Sequence, residues 1–197
     1  MQVIRFWKPF NVLCQFTDSD GRTTLADYIP VPKVYAAGRL DYDSEGLLLL
    51  TDSDVLAHRL TDPRFEHPKT YWVQVEKAPS EADLDQLRAG ITLRIDREEF
   101  RTRPAQVRLL DSAPDIPART PPIRYRANIP TAWLELTIHE GKKRQIRRMT
   151  AAIGFPTLRL IRVRIGEIGL DGLQPGVWQA LTVDETRRLM TQLRLRA

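Results

Sequence analysis

Asp41 stands in Gly38-Arg39-Leu40-Asp41-Tyr42-Asp43-Ser44-Glu45-Gly46, a glycine-bounded turn placed directly before Leu47-Leu48-Leu49-Leu50. A carboxylate at the lip of an apolar strand is desolvated on one side and needs a cation to stay ionised. Cations are concentrated far downstream, in Glu140-Gly141-Lys142-Lys143-Arg144-Gln145-Ile146-Arg147-Arg148-Met149, where five of the seven residues from Lys142 to Arg148 are basic. One poised acid and one dense Arg/Lys segment suit chemistry performed on a polyanion, and RNA fits best. Taken alone, Asp41 has a plainer reading: Asp beside Gly commonly bonds its own backbone in a tight turn.

The charge distribution points the same way. Residues 1–98 hold 12 Lys+Arg and 16 Asp+Glu, whereas residues 99–197 hold 18 and 9, so a net charge of −4 is followed by one of +9. A basic half beside an acidic half is the footprint of a nucleic-acid binder. The lone cysteine, Cys14, excludes an intrachain disulfide and a cysteine-based zinc cage. It falls in a strand-like segment with no histidine nearby to activate it, so a buried, inert thiol is expected. His58, His67 and His139 lack metal-ligand spacing and read as surface or loop residues. No apolar run approaches a membrane span, and the N-terminus lacks the layout of a signal peptide, so a cytoplasmic protein is expected.

The positioning elements follow from periodicity and punctuation. Segments 2–6 and 12–16 read as short strands either side of Lys8-Pro9, and 23–29 as a short helix stopped by Pro30 and Pro32. Segment 34–37 is a strand leading into the Asp41 turn, and 47–51 a fully buried strand leaving it. Ser53 caps a helix over 54–60, with Val55, Leu56 and Leu60 on one face. Residues 69–77 alternate as a strand, with Tyr71, Val73 and Val75 on one side. Ser80 then opens a helix that faces Leu84 and Leu87 inward and closes at Gly90.

Strands are expected over 91–95 and 100–110, then an exposed, basic, proline-rich loop over 111–130 containing Arg119, Arg124 and Arg126. Segment 133–139 alternates again. A helix spans about 144–153, placing residues 144, 147 and 148 on one face and Ile146, Met149 and Ile153 on another. Segment 158–165 is a strand with arginines at 162 and 164, and Thr182-Val183-Asp184-Glu185 carries the capping pattern of a last helix. Strands and helices mix without a βαβ rhythm. The reading is an α+β protein with a mainly antiparallel, mixed sheet, flanking helices and two fused lobes.

The motif Gly-Arg-Leu-Asp-x-x-Ser-x-Gly-Leu, followed by an apolar strand and Thr51-Asp52, closely resembles the catalytic motif of pseudouridine synthases, in the branch that modifies ribosomal RNA. The resemblance spans nearly the whole chain. Lys8-Pro9 resembles the family's first motif, with Asn11 where a glycine is common. Lys69-Thr70-Tyr71 resembles the motif of the active-site tyrosine, and residues 140–149 the basic third motif. The ending, from Leu160-Ile161-Arg162 through Ile165-Gly166, Leu173, Pro175-Gly176 and Leu181-Thr182, looks like this branch too. Many relatives carry an upstream S4 RNA-binding domain. This chain begins almost at the first motif, so residues 1–197 are expected to be one catalytic domain without it. That form resembles the subgroup acting on large-subunit (23S) ribosomal RNA.

The resemblance implies isomerisation of a uridine in ribosomal RNA. The C1′–N1 bond breaks, the base turns and C5 bonds to C1′, with no redox step, cofactor or metal. A monomer with ribosomal RNA as partner and no membrane contact is expected. A carboxylate can trap or stabilise charge at C1′, or act as a base on the sugar, and Asp41 matches that role. Arg147 matches its counter-ion, with a phosphate contact as the alternative. Tyr71 matches the tyrosine lying against the base, and Ile146 an apolar wall that is equally a core residue. Lys69, Lys142, Lys143, Arg144 and Arg148 are assigned to RNA binding. Arg39 resembles the residue filling the space of a flipped-out base, or else pairs locally with Asp43 or Glu45. Two rivals use the same residues. One is a metal-dependent nuclease built on Asp41, Asp43 and Glu45 with Asp52 and Asp54; the other is a non-catalytic RNA-binding or ribosome-assembly protein.

Overall fold

A computed structural model describes residues 1–123 and 129–195. Arg124 and Arg126 of the expected basic loop lie outside the described residues. In chain order the elements are β1 (Val3–Lys8), β2 (Tyr35–Ala36), β3 (Glu45–Thr51), α1 (Asp54–Thr61), β4 (Lys69–Glu76), α2 (Glu81–Ala89), β5 (Thr92–Ile95) and β6 (Glu98–Arg101). They continue with β7 (Gln106–Leu109), β8 (Thr131–Ile138), α3 (Gln145–Ala152), β9 (Thr157–Ile165), β10 (Ile168–Gly169), β11 (Trp178–Ala180) and α4 (Val183–Gln192). The chain divides into two units, Met1–His67 with Ile161–Ala197, and Pro68–Leu160. β3 and β9 pair in parallel while the other registered strand pairs are antiparallel, so the mixed α+β architecture is as expected.

In the first unit the strands run β11-β1-β3-β9. β1 pairs along its whole length with β3, from Val3 opposite Thr51 to Lys8 opposite Gly46. All seven residues of β3 are buried, which is why its leucines run without alternation: a strand covered on both faces has no solvent side to spend polar residues on. Ile4, Phe6, Leu25, Ile29, Val34, Leu48 and Leu50 form the core on one face. Fully burying one such leucine is worth about 1.5–3 kcal/mol. Ser53 caps α1 through Leu56 N–H as expected, and Thr182 with Glu185 forms a reciprocal capping box on α4.

Several local expectations are corrected. β1 continues through Lys8, since Pro9 lies just beyond the last paired residue. Segment 12–16 is a loop, although Leu13 N–H donates to Thr23 O and Leu25 N–H to Gln15 O. The expected helix at 23–29 shrinks to a single 3-10 turn, Leu25–Asp27, closed by a Thr24/Asp27 capping box. Pro30 follows too soon for a second turn. Val55 is 65% exposed while Leu56 and Leu60 are buried; the i, i+4 pair defines the inward face and Val55 sits one step off it. His67 lies in a loop, as one of its two readings had it, and is buried, with Nε2 3.0 Å from Arg59 O.

In the second unit the order is β9-β4-β8-β7. β4 and β8 pair over eight residues each, with Tyr71, Val73 and Val75 buried against the inward side chains Leu134, Leu136 and Ile138. α2 is boxed by Ser80 and Asp83 and closed at Gly90, with Leu84 and Leu87 inward. The strand expected over 100–110 breaks into β6 and β7. Pro104 cannot donate to a ladder, and the donors before it go elsewhere: Thr102 N–H to Ile91 O and Arg103 N–H to Glu140 Oε1. No helix among the described residues is long and apolar enough to cross a membrane.

Candidate active site

Asp41 lies in the first unit, half-buried, between exposed Arg39 and the start of β3. Its own carbonyl accepts Ser44 N–H at 3.0 Å, closing the turn. The next carbonyl, that of Tyr42, accepts Asn11 N–H at 2.9 Å and lies 3.5 Å from Lys8 Nζ. Asn11 has φ +57°, which explains why glycine suits that position and why Asn, tolerant of the left-handed region, can replace it. Gly46 is required for a different reason. It has φ +105°, and a Cβ there would lie 2.6 Å from Arg162 N and closer still to Arg162 O, so β3 and β9 could not approach.

Beneath this turn is a buried cation that the sequence reading recognised only as a motif match. Lys8 has no solvent exposure, and its Nζ donates to Pro9 O at 2.7 Å and Val12 O at 2.8 Å. Burial pushes its ammonium down from 10.5 to about 8, against the opposing pull of Cys14, Glu45, Asp43 and Asp41. The bonds that hold the ammonium all go to backbone carbonyls, those of Pro9, Val12 and Tyr42. Among the described residues no three His, Cys, Asp or Glu side chains gather into a metal-holding group.

Cys14, expected to be an inert core thiol, is half-buried and bonds the backbone next to Asp41. Leu40 N–H donates to its Sγ at 3.2 Å, and the thiol donates to Leu40 O at 3.3 Å. Arg162 is 4% exposed and donates from Nε to Leu47 O at 2.8 Å, with Nη1 3.5 Å from Arg39 O. In the sequence it was one of two alternating strand arginines, with no signal that it turns inward while Arg164 stays exposed.

The remaining candidates lie in the second unit. Tyr71, 8% exposed, and half-buried Lys69 are on β4, opposite Leu136 and Ile138. Ile146 and Met149 are buried on α3, Arg147 and Arg148 are half-buried, and Lys142, Lys143 and Arg144 are exposed. Arg147 Nη1 is 3.5 Å from Thr157 O. Arg148 is less outward than expected, since its Nη1 donates to Arg94 O at 2.7 Å. Lys143 pairs with Asp96 at 3.2 Å, and Lys142 Nζ sits 5.2 Å from the centre of the Phe100 ring. The β5–β6 hairpin thus arranges the basic segment from one side.

Gln145 was not singled out in the sequence, yet it holds this segment together. Arg144, at φ +53°, precedes the helix without a side-chain cap. Gln145, the first helical residue, ties down the loop before it: its Oε1 accepts Lys142 N–H at 3.0 Å and its Nε2 donates to buried Glu140 Oε1 at 2.6 Å. Glu140 in turn takes Arg103 N–H at 3.0 Å. A Glu at the start of so basic a stretch, with a Gln inside it, was the available signal.

A half-buried acid on a heavily anchored turn and a cationic segment opening a helix are the parts of an RNA-modifying enzyme. The profile of the RNA pseudouridylate synthase family matches residues 2–152, and the chain belongs to that family. It is an isomerase that converts uridine to pseudouridine in RNA. Among individual proteins, it is 58% identical over 180 residues to ribosomal large subunit pseudouridine synthase E of Vibrio parahaemolyticus, covering 91% of this chain and 74% of that one. Its identity to the protein of the same name from Xanthomonas axonopodis is 57% over 182 residues, covering 91% and 94%. A crystal structure of a pseudouridylate synthase matches with TM-score 0.78 and 31% identity, over 95% of this chain and 73% of that one.

Proposed function

We propose that the chain isomerises one uridine of 23S ribosomal RNA, with Asp41 as the acting carboxylate. The observation that carries this reading is the anchoring of the Asp41 turn, in which bonds fix the backbone on both sides of the acid. Reaction at C1′ needs a carboxylate held within a fraction of an ångström of the reacting atom. The likeness to large-subunit synthases of Vibrio and Xanthomonas supports the 23S assignment.

In the proposed reaction the C1′–N1 bond breaks with Asp41 facing C1′, the detached uracil turns, and C5 bonds to C1′. A proton leaves C5 and N1 gains one, so atoms and charge balance with no cofactor or metal. By the family resemblance, Arg147 takes the part of the counter-ion, Tyr71 that of the tyrosine against the base and Ile146 that of an apolar wall. Lys69, Lys142, Lys143, Arg144 and Arg148 hold the RNA backbone, and Arg39 occupies the space vacated by the flipped base. The enzyme works as a cytoplasmic monomer. The test is pseudouridine formation in 23S rRNA by the wild type and by Asp41→Asn: the variant should bind RNA and make no pseudouridine. Modification at the wild-type rate removes Asp41 from the chemistry, and modification confined to 16S rRNA removes the 23S assignment.

A further inference from the structure

We infer that Cys14 and Arg162 are positioning residues of the isomerisation, each fixing the backbone of the turn that carries Asp41. The inference rests on the reading of Asp41 as the acting carboxylate and concerns only the first unit.

A turn of this length makes few bonds of its own, and here all but the Ser44–Asp41 bond come from outside it. Both backbone groups of Leu40 meet one sulfur: its N–H donates to Cys14 Sγ and its C=O accepts from it. A thiol, with one donor and acceptor capacity, can serve both. Arg162 reaches the two ends of the same turn, through Leu47 O and Arg39 O. The carbonyls of residues 39, 40, 41 and 42 therefore each have an assigned donor: Arg162, Cys14, Ser44 and Asn11. With the peptides on both sides of Asp41 tied, its Cα–Cβ direction is set before RNA arrives.

Two further features separate this from ordinary packing. Cys14 is itself fixed, since its neighbours are tied across the loop by the Leu13–Thr23 and Gln15–Leu25 bonds. Buried Arg162 Nη2 and Ser44 Oγ have no hydrogen-bond partner among the described residues. A protein seldom leaves buried donors unpaired where stability alone is served.

The test exploits the difference between shape and hydrogen bonding at position 14. Cys14→Ser keeps a donor and an acceptor but is less apolar, whereas Cys14→Val keeps apolar packing and loses both bonds. Single-turnover rates and RNA dissociation constants are measured for each, together with Arg162→Lys and Asp41→Asn, with thermal melting to establish folding. The expected result is that Cys14→Val slows the reaction about tenfold or more with RNA affinity unchanged, because small misplacement of a reacting group is costly. Cys14→Ser stays within about threefold of the wild type under the same principle. Arg162→Lys, which keeps charge but not the guanidinium fork, loses rate in the same way. The inference is overturned if Cys14→Val reacts at the wild-type rate, or if Cys14→Ser is the slower of the two, while Asp41→Asn is inactive. If Asp41→Asn itself retains activity, the underlying reading of Asp41 fails instead.

Discussion

The Asp41 turn and the Lys142–Arg148 segment are both polar regions of a modifying enzyme, yet they are held in opposite ways. The acidic turn is fixed through its backbone: Cys14, Asn11, Ser44 and Arg162 grip main-chain atoms around one half-buried side chain. The basic segment is fixed by a few side-chain bonds around Gln145 and Glu140, while Lys142, Lys143 and Arg144 remain exposed. A group that meets one atom of substrate must have one position. Cations that follow a phosphate chain gain from reach, because screened attraction changes little over an ångström.

The sharpest way to break this contrast is Asp41→Asn, which leaves the anchors in place. Pseudouridine formation should fall by at least about 10³-fold, the scale of removing an acid or base from the chemistry, with RNA binding retained. A comparable loss of binding would make the turn an RNA contact like the basic segment. Next in size is Gln145→Ala, which leaves the buried Glu140 carboxylate with Arg103 N–H but without the Gln145 amide and takes the acceptor from Lys142 N–H; a lost hydrogen bond to a charged group costs about 1.5–3 kcal/mol. Urea denaturation should show that loss, and an unchanged midpoint would mean that the segment is held by the β5–β6 hairpin alone.

Lys142→Ala and Lys143→Ala sharpen the contrast from the other side. Each should weaken RNA binding while leaving the rate at saturating RNA near that of the wild type, and each should flatten the plot of log affinity against log salt by about 0.7. A fall in saturated rate would give these lysines a fixed catalytic geometry and erase the distinction. The smallest effect concerns Lys8. Its folded pKa, about 8, lies below 10.5, so between those values the unfolded chain binds the extra proton and unfolding free energy from this group rises with pH. Below about 8 both states are protonated and the group adds no slope. Unfolding titrations of the wild type and Lys8→Met from pH 7 to about 10.5 should differ by that positive slope; identical slopes would remove the buried charge from under the turn.

Legibility in the sequence followed the same division. β3, β4, α2, α3 and α4 were readable because their determinants are local: an unbroken leucine run, a period-two strand, and capping residues at Ser80 and Thr182. Segments 12–16 and 23–29 misled because their apolar residues are packed by loops, so burial occurs without a strand or a helix to give it a period. The break between β6 and β7 was written in Pro104 but outweighed by the apolar pattern around it.

Motif and charge sufficed to indicate the reaction class and to propose Asp41, Tyr71 and the basic segment as candidates, since residue type and spacing along one chain carry that information. They could not show that Cys14 binds Leu40, that Arg162 turns inward under Arg39 and Leu47, or that Gln145 ties down the loop before α3. Those bonds join residues up to 123 positions apart. The Arg162 bonds form where β3 and β9 approach closely enough at Gly46 to exclude a side chain, and only the folded backbone sets that distance.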